Sequence, residues 1–289
     1  MAWLVAHRGF VNTWECDENR HLNIQFYFAR FADAAAHVLV ARGLAPFGRQ
    51  APRLLCRHVR FLRELGAASL TRVDSALADP GEVPEAGFAL LHRLSEPARG
   101  FVAAGALDLY VPPPSGDPGP DRMSPPEETR PRGLPGGPAR ETRSLADLLA
   151  LGYGETERSV VQPGQLGPDG VMSLAAIVGR ISDSAAQAWA HAGIPPGEVE
   201  DKGRGRVALE LKISPLRPAR AGDAVVTVSG VTSVSRTAFR FREVLFDAAT
   251  GEALAVGEKA VLMIDQDTRQ PVRLTDELRA AIEARLVPA

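Results

Sequence analysis

The feature that most constrains the fold of this chain is an internal repeat. When the sequence is shifted by 150 positions, residues 8–44 align with residues 158–194 without a gap. Seven of these 37 pairs are identical, and apolar positions coincide along a stretch in each copy. A chain of 289 residues that repeats in this way is expected to fold as two similar units, because each copy must bury the same apolar face.

The repeated stretch has the spacing of an amphipathic helix. Apolar side chains recur at helical intervals within residues 24–39 and again within residues 174–189. Both patterns predict one helix of about 19 residues in each copy, roughly 28 Å long. Gly43 and Gly193 follow the predicted helices at the position where glycine commonly ends a helix.

After each predicted helix the apolar pattern changes to that of β-strands. Alternating and β-branched runs are interrupted by turn sequences such as "DPGE" and "AATGE", which favours antiparallel strands joined by turns. Each unit is therefore predicted to be a strand, a long helix and a meander, which is an α+β fold with one sheet wrapped over one helix. The predicted strands after the helices cover residues 53–65, 69–79, 87–96, 101–111, 206–214, 223–234, 237–252 and 253–265.

A segment rich in proline and glycine separates the two units. Residues 112–140 contain ten prolines and five glycines, too few apolar side chains for a core and too many breakers for a strand. We expect an extended and mobile connection. The predicted organisation is an N-terminal domain over residues 1–111, a linker over 112–143 and a C-terminal domain over 144–289.

Composition excludes several classes of function. The net charge of −2 gives no reason to expect a nucleic-acid or membrane surface. Two cysteines, Cys16 and Cys56, form neither a disulfide framework nor a metal-binding cluster, and we predict no metal and no cofactor. The first residues do not resemble a signal peptide, and no apolar run approaches the roughly 20 residues that span a bilayer. A cytoplasmic protein is expected.

The turn before the first helix carries the most specific motif. In "CDENRHLNIQFY", Asp17, His21 and Asn23 precede the helix and Tyr27 lies within it. Together with the order of elements, this turn resembles the hotdog fold, and within it the acyl-CoA thioesterases of the 4-hydroxybenzoyl-CoA thioesterase type. The stretches "LRPARAGDAVVTV" and "GEALAVGEKAVLMID" in the second half are similar to strands of that family. The resemblance implies tandem hotdog folds, a pseudo-dimer within one chain, that hydrolyse acyl-CoA.

Comparison of the two copies distinguishes residues that the fold requires from residues that serve a reaction. The second copy has glycine and valine where the first has Asp17 and His21, so the fold does not require the acid or the imidazole. We therefore predict that Asp17 and His21 are catalytic. Asn23 is replaced by Ser173, which caps a helix equally well, so Asn23 is predicted to be a cap, either alone or with an added substrate contact.

The resemblance implies roles for further residues. The Asp17 carboxylate would act as nucleophile or as general base on water, and the free amides of Ile24 and Gln25 would hold the oxyanion. Tyr27 would pack in the core or line the acyl slot. The coenzyme phosphates would need surface arginines; Arg60 and Arg63 are predicted to bind substrate, from the candidates Arg57, Arg60, Arg63, Arg217 and Arg220.

Two other functions remain open. A hotdog enoyl-CoA hydratase uses a similar turn, although here the acid and the histidine are four rather than five positions apart. A non-catalytic acyl-CoA-binding module is the second alternative. Arg30 and Asp33 recur in the second copy, so we interpret them as an intrahelical ion pair or shared packing and exclude them from the site. Free sheet edges or faces further predict pairing of whole chains into a homo-oligomer.

Overall fold

The fold was analysed in a computed structural model that describes residues 3–289, except residues 82, 84, 114, 115, 117 and 200. Ten strands form a single antiparallel sheet. The strands of the first half are β1 (Leu4–Phe10), β2 (Arg53–Phe61), β3 (Leu70–Ala78), β4 (Phe88–Glu96) and β5 (Phe101–Val111). Those of the second half are β6 (Gly154–Val160), β7 (Arg204–Pro215), β8 (Ala224–Val234), β9 (Ala238–Asp247) and β10 (Ala253–Asp265).

Two long helical segments pack against each other beside the sheet. The first is α1 (Ile24–Ala41), and its counterpart in the second half begins with α3 (Leu174–Asp183). Their buried faces share one hydrophobic cluster, which also contains residues from the strands of both halves. The remaining helices of the described chain are α2 (Leu145–Ala150), α4 (Ala185–His191) and α5 (Asp276–Glu283).

The strand order shows the internal symmetry. Neighbouring strands follow the order β1-β3-β4-β5-β2-β7-β10-β9-β8-β6, so the second half repeats the order of the first in reverse. The halves meet at β2 and β7, where Arg57 lies opposite Ile213 and Arg60 lies opposite Glu210. The prediction of an α+β chain with tandem hotdog folds is confirmed.

The second long helix is not continuous, and this part of the sequence prediction is wrong. The helix is interrupted at Ser184, between α3 and α4. The Ser184 hydroxyl donates to the carbonyl of Ile181 and to the buried carboxylate of Glu243. A serine that bonds back to the preceding turn weakens the helical ladder, and here the sheet holds it in that position.

The predicted ion pair between Arg30 and Asp33 is also wrong. Arg30 is buried and donates to the Glu15 carboxylate at 2.9 Å and to the Phe10 carbonyl at 3.0 Å. In the second half Arg180 donates to the side chain and the carbonyl at the corresponding positions. Both arginines therefore fix the end of a strand to a helix, which supports the interpretation of shared packing and explains why they recur.

The proline-rich segment is tied to the sheet on the face opposite the helices. Residues 127–129 form a short 3₁₀ turn that lies over β5, with Thr129 only 1% exposed. A Cβ atom at Gly105 would lie 2.2 Å from the Glu128 carbonyl oxygen, so only glycine allows this approach. The segment is extended, as predicted, but its described part is anchored rather than loosely tethered.

A buried carboxylate from β7 holds the next part of the same segment. Glu210 accepts the backbone amides of Arg132, Gly133 and Leu134 at 3.2, 2.7 and 3.2 Å. The same carboxylate lies 2.9 Å from the ring of His58 on β2. These bonds join the segment to the seam between the two halves, and they lower the pKa of Glu210 although burial alone would raise it.

Candidate active site

The geometry of the site begins with the turn that precedes α1. Backbone bonds close the turn, with the Asp17 amide donating to the His21 carbonyl at 2.8 Å and the Arg20 amide donating to the Asp17 carbonyl at 2.9 Å. Asp17 Oδ1 accepts the amides of Asn19 and His21 at 2.9 and 3.0 Å. Oδ2 has no hydrogen bond to any residue that the structure describes. One carboxylate oxygen is therefore fixed by the turn and the other is left for a ligand.

The environment of Asp17 makes its carboxylate more basic. Burial raises its pKa, and the amides of His21 and Asn19 oppose this only in part. A carboxylate with a raised pKa accepts a proton from water more readily, which suits a general base.

His21 is held by a carboxylate that the sequence analysis did not include. Its Nδ1 lies 3.4 Å from Glu64 Oε1, and Glu64 in turn forms an ion pair with Arg269. Arg269 comes from the loop after β10 in the second half. The imidazole is therefore oriented by a chain of charges that crosses between the halves.

Asp17 and His21 line one cavity of about 360 Å³ between the two halves. Its size lies within the range of small-molecule sites. The turn and the end of β2 form one side, and β7 and β10 form the other. Apolar side chains cover much of the wall: Leu22, Phe61 and Leu62 from the first half, and Val207, Leu262 and Ile264 from the second.

The second half also holds the turn that carries Asp17 and His21 in place. Gln266 donates from Nε2 to Asn19 Oδ1 at 3.0 Å, and Arg206 donates to Glu18 Oε1 at 3.3 Å. Asn19 and Arg206 both line the cavity. The first half therefore supplies the acid and the imidazole, while the second closes the site.

The two amides predicted to hold the oxyanion differ in availability. The Gln25 amide already donates to Asn23 Oδ1 at 3.0 Å, and Gln25 does not line the cavity. The structure therefore corrects the assignment of Gln25. Ile24 lines the cavity, and its amide has no hydrogen bond to another described residue. Ile24 is the remaining donor of the two.

Asn23 is a helix cap, and Tyr27 is a buried wall of the cavity. Besides capping α1, Asn23 donates from Nδ2 to Ser182 Oγ at 3.1 Å, so both ends of its amide are used by the protein. Tyr27 is 4% exposed and packs edge-on against Phe61, with ring centroids 5.2 Å apart. Burial raises the pKa of the Tyr27 phenol, which keeps it neutral.

The arginines chosen from the sequence occupy three different places. Arg63 lines the cavity and lies over the ring of Phe101. Arg60 points to the opposite face of the sheet, where it donates to the carbonyls of Glu127 and Arg130, and it is therefore excluded from the site. Arg57, a wider candidate for phosphate binding, is 1% exposed and is engaged by Asp108 and by carbonyls of α1, so it is also excluded from this site.

The second turn reproduces the backbone of the first without its side chains. The Gly167 amide donates to the Val171 carbonyl at 2.7 Å, as the Asp17 amide does to His21. The Met172 amide donates to the Ala219 carbonyl, as the Leu22 amide does to the Leu65 carbonyl. Pro218 precedes Ala219 where Glu64 precedes Leu65, so the acid, the imidazole and the orienting carboxylate are all missing from the second turn.

Glu64 was missed because the repeat was compared only as far as residue 44. The paired residues Leu22 and Met172 are 150 positions apart, but Leu65 and Ala219 are 154 apart, so a gap intervenes. An alignment that allowed this gap would have shown that Glu64 lacks a counterpart. Arg206, Gln266 and Arg269 belong to no motif, and only the fold brings them to the turn.

No helix within the described part of the chain is long and apolar enough to cross a membrane. Comparison with known proteins adds evidence on the family. The sequence profile of the thioesterase-like superfamily matches residues 161–282, which is the half with the altered turn. No curated protein matches the chain.

Among solved structures, two thioesterases are similar over nearly the whole chain. The 12:0-ACP thioesterase from Umbellularia californica has a TM-score of 0.62 and 11% identity, over 88% of this chain and 92% of its own. An acyl-ACP thioesterase from Bacteroides thetaiotaomicron has a TM-score of 0.58 and 11% identity, over 88% of this chain and 96% of its own. At such low identity these likenesses establish the fold. The chain is thus a double-hotdog protein whose second half matches the thioesterase-like superfamily.

Proposed function

We propose that the chain is an acyl-CoA thioesterase with one active site, in which Asp17 is the catalytic carboxylate. The observation that carries this proposal is the contrast between the two turns. The same backbone frame holds Asp17 and His21 over a cavity in the first half, whereas the second half has Gly167 and Val171 at these positions. Since the frame is stable without them, catalysis explains Asp17 and His21 better than folding does.

The proposed reaction begins with an attack on the thioester carbonyl carbon. With Asp17 as general base, Oδ2 takes a proton from water while the water oxygen forms the new C–O bond. The tetrahedral intermediate then collapses, the C–S bond breaks, and the proton on Asp17 is available to the departing thiolate. With Asp17 as nucleophile, Oδ2 itself forms the C–O bond, the C–S bond breaks and the thiolate leaves with a proton from solvent, and water later hydrolyses the resulting anhydride to the acid and free Asp17.

Ile24 and His21 would stabilise the charge that develops on the carbonyl oxygen. The Ile24 amide at the N-terminus of α1 is one donor. The Glu64 carboxylate, 3.4 Å from Nδ1 of His21, would favour the tautomer with a proton on that atom and so help to orient the ring. Loss of one oxyanion donor in other enzymes raises the barrier by about 3–4 kcal/mol.

The cavity supports an acyl substrate with an extended carrier. Its apolar wall suits the acyl group, with Tyr27 closing one side, while Arg63 and Arg206 provide positive charge. We propose coenzyme A as the carrier. The two solved structures that span the chain are named as acyl-ACP thioesterases, so acyl carrier protein must be tested beside it.

The proposal is tested by thiol release from a panel of acyl-CoA and acyl-ACP thioesters with short, long, branched and aromatic acyl groups. We expect turnover by the wild type and a loss of about 10²–10⁴-fold in kcat for Asp17→Asn, since the variant can neither accept the proton nor attack. The matched control is Asp183→Asn, which removes an exposed acid from the end of α3 and should leave turnover unchanged.

Three results would contradict the proposal. Full activity of Asp17→Asn would show that the carboxylate is not catalytic. Binding of acyl-CoA without turnover of any thioester would indicate a binding module instead. Addition of water to an enoyl-CoA, rather than hydrolysis, would indicate a hydratase.

The role of Asp17 as base or nucleophile needs a separate measurement. In a single turnover in water labelled with oxygen-18, Asp17 acquires label if it is the nucleophile and water attacks its own carbonyl carbon in the anhydride. A general base, or attack of water on the acyl carbon of the anhydride, places the label only in the acid product. Label in the peptide that contains the turn, read by mass spectrometry, therefore identifies the nucleophilic route.

Pairing of whole chains and a cytoplasmic location stay predictions. The edge strands β1 and β6 each have one neighbour in the sheet, so further pairing through an edge is open to test by light scattering.

A further inference from the structure

A second cavity, of about 580 Å³, lies at the second turn. It is bounded by α1 from the first half and by the start of α3 from the second. The internal symmetry therefore produces two cavities, one at each turn, and the larger belongs to the turn that has glycine and valine in place of Asp17 and His21.

The second cavity lacks the groups that hydrolysis needs. The backbone bonds described above establish which residues correspond in the two turns. At the positions of Asp17, His21 and Glu64 the second cavity is lined by Gly167, Val171 and Pro218. A ligand here meets no oriented imidazole, and the one carboxylate of the described lining, Asp169, is exposed and stands at the position of Asn19 rather than that of Asp17. The cavity is thus suited to binding without turnover.

The wall of this cavity is largely apolar. Six of the lining side chains show its character, three from each half: Leu39, Phe47, Leu54, Ile177, Leu245 and Leu254. Phe47, 45% exposed, forms part of the edge of the cavity. A concave apolar space with an exposed aromatic rim is typical of a site for a hydrophobic ligand.

The rim of the cavity is positively charged. Arg49 and Arg53 line it, both are exposed, and neither has an ion pair among the described residues. Arg217 also lines it and pairs with Glu252. The single acidic side chain of the described lining is Asp169. Unpaired guanidinium groups beside an apolar space favour a ligand with an anionic head and a hydrocarbon tail.

We propose that this second cavity binds an acyl chain with an anionic head group and does not hydrolyse it. The tail would occupy the apolar space and the head would lie at Arg49 and Arg53. Two sources share this chemistry, the fatty acid that thioester hydrolysis releases and the intact acyl-CoA. The identity of these sources rests on the proposed function, but the binding itself does not.

The test counts ligands per chain by isothermal titration calorimetry. The probe is a thioether analogue of dodecanoyl-CoA in which a methylene group separates the sulfur from the carbonyl carbon, so that the wild-type protein cannot cleave it. We expect two molecules to bind per chain. In the double variant Arg49→Glu/Arg53→Glu one of the two should bind at least about tenfold more weakly, a loss of about 1.4 kcal/mol.

Two further variants protect the test against an indirect effect. Ala36→Phe places a larger side chain into the second cavity from α1, and it should abolish the same binding event without changing any charge. Arg99→Glu reverses an exposed charge in the turn after β4, away from both cavities, and it should retain both ligands. Circular dichroism establishes that each variant is folded.

Separate titrations with dodecanoate and with coenzyme A distinguish the sources. Dodecanoate binding that depends on Arg49 and Arg53 would identify the free acid as a ligand, whereas a requirement for the whole analogue would identify acyl-CoA; both support the proposal. One analogue per chain, or two in every variant, would overturn it, as would coenzyme A alone binding as tightly as the analogue. If the protein hydrolyses thioesters but binds only one analogue molecule per chain, the proposed function stands and only this inference is rejected.

Discussion

The two turns at the starts of α1 and α3 share a backbone and differ in chemistry. Each has the same pattern of closing bonds, and each leads into a capped helix that packs against the other. The first presents Asp17 and His21 to a cavity, whereas the second presents Gly167 and Val171 to another. The comparison teaches that the hydrogen-bond frame belongs to the fold and that the acid and imidazole are additions to it.

The match to the thioesterase-like superfamily supports the same distinction. It covers residues 161–282, the half in which Gly167 and Val171 stand in place of Asp17 and His21. A sequence profile responds to the whole pattern of strands, helix and turns, so it can recognise a unit that lacks the reactive side chains. Family membership of a domain and chemical competence of its turn are therefore separate questions in this chain.

Replacing His21 by the residue of the second turn tests the comparison most severely. Since Val171 occupies the same frame, we expect His21→Val to fold normally and to lose about 10²–10⁴-fold in kcat for thioester hydrolysis. The free energy of unfolding should change by less than about 1 kcal/mol, because His21 is only partly buried. Steady-state kinetics and urea unfolding measure the two effects.

The reverse result would break the comparison. If His21→Val unfolded readily but kept its specific activity, the imidazole would serve the frame and not the reaction. Met172→Leu, a change of similar apolar side chains beside the second turn, controls for small packing changes and should affect neither quantity.

How much of this could be predicted from the sequence depends on the range of the interactions. The turn motif, α1 and all eight predicted strands after the helices were found because helical and alternating periods are local. The break at Ser184 was not, because it depends on Glu243, a residue from a distant strand. Arg269 and Gln266 reach the site only because β2 pairs with β7, and one sequence alone does not reveal that pairing.

The interiors of the two halves offer a second comparison. In the first half Ser75 lies 2.7 Å from Nδ1 of His92, whose Nε2 lies 3.4 Å from Asp108. Arg57 donates to both oxygens of Asp108 and to carbonyls of α1. Serine, histidine and aspartate are each at most 1% exposed, so this set is a buried network without access for a substrate.

The second half has a different network at corresponding strand positions. Ser75 pairs across the sheet with His92, and Ser229 pairs in the same way with Glu243. The Glu243 carboxylate accepts from Ser229 at 3.2 Å and from Lys259 at 2.8 Å. The acid of the first network, Asp108, lies on β5, whereas Glu243 lies on β9, the counterpart of β4. Glutamate therefore stands where the first half has His92, and the imidazole of the first network has no counterpart in the second.

This difference predicts a pH dependence of stability that only the first half supplies. Burial lowers the pKa of His92 below its ordinary value near 6.5, so the folded protein keeps it neutral while the unfolded chain takes up a proton. The stability from neutral His92 is complete above that value and declines as pH falls below it, with a slope of at most about 1.4 kcal/mol per pH unit. Asp108 adds nothing in this range, because Arg57 outweighs the effect of burial and holds its pKa well below normal.

Urea unfolding between about pH 7 and pH 5 measures this dependence. We expect His92→Gln to be less stable than the wild type at neutral pH and to show a shallower decline with acid, because glutamine does not titrate. The exposed His37 on α1 provides the control, since His37→Gln should leave the slope intact. Equal slopes in the wild type and His92→Gln would contradict the assignment.

The smallest predicted effect returns to the two turns and concerns their backbone. Arg20 has a φ of 62°, in the left-handed region, where the second turn has Gly170 with a φ of 72°. A side chain in this region costs about 1–2 kcal/mol, whereas glycine adopts it freely. Arg20 is exposed and has no ion pair among the described residues, so little is lost with its side chain.

We therefore expect Arg20→Gly to raise the free energy of unfolding by about 1 kcal/mol, read as a higher urea midpoint with an unchanged slope. Gly170→Ala, the opposite change in the second turn, should lower it by a similar amount. A destabilised Arg20→Gly would show that the first turn needs the arginine side chain, and the two turns would then differ in frame as well as in chemistry. If stability rises while turnover falls, the strained residue contributes to the placement of Asp17 and His21.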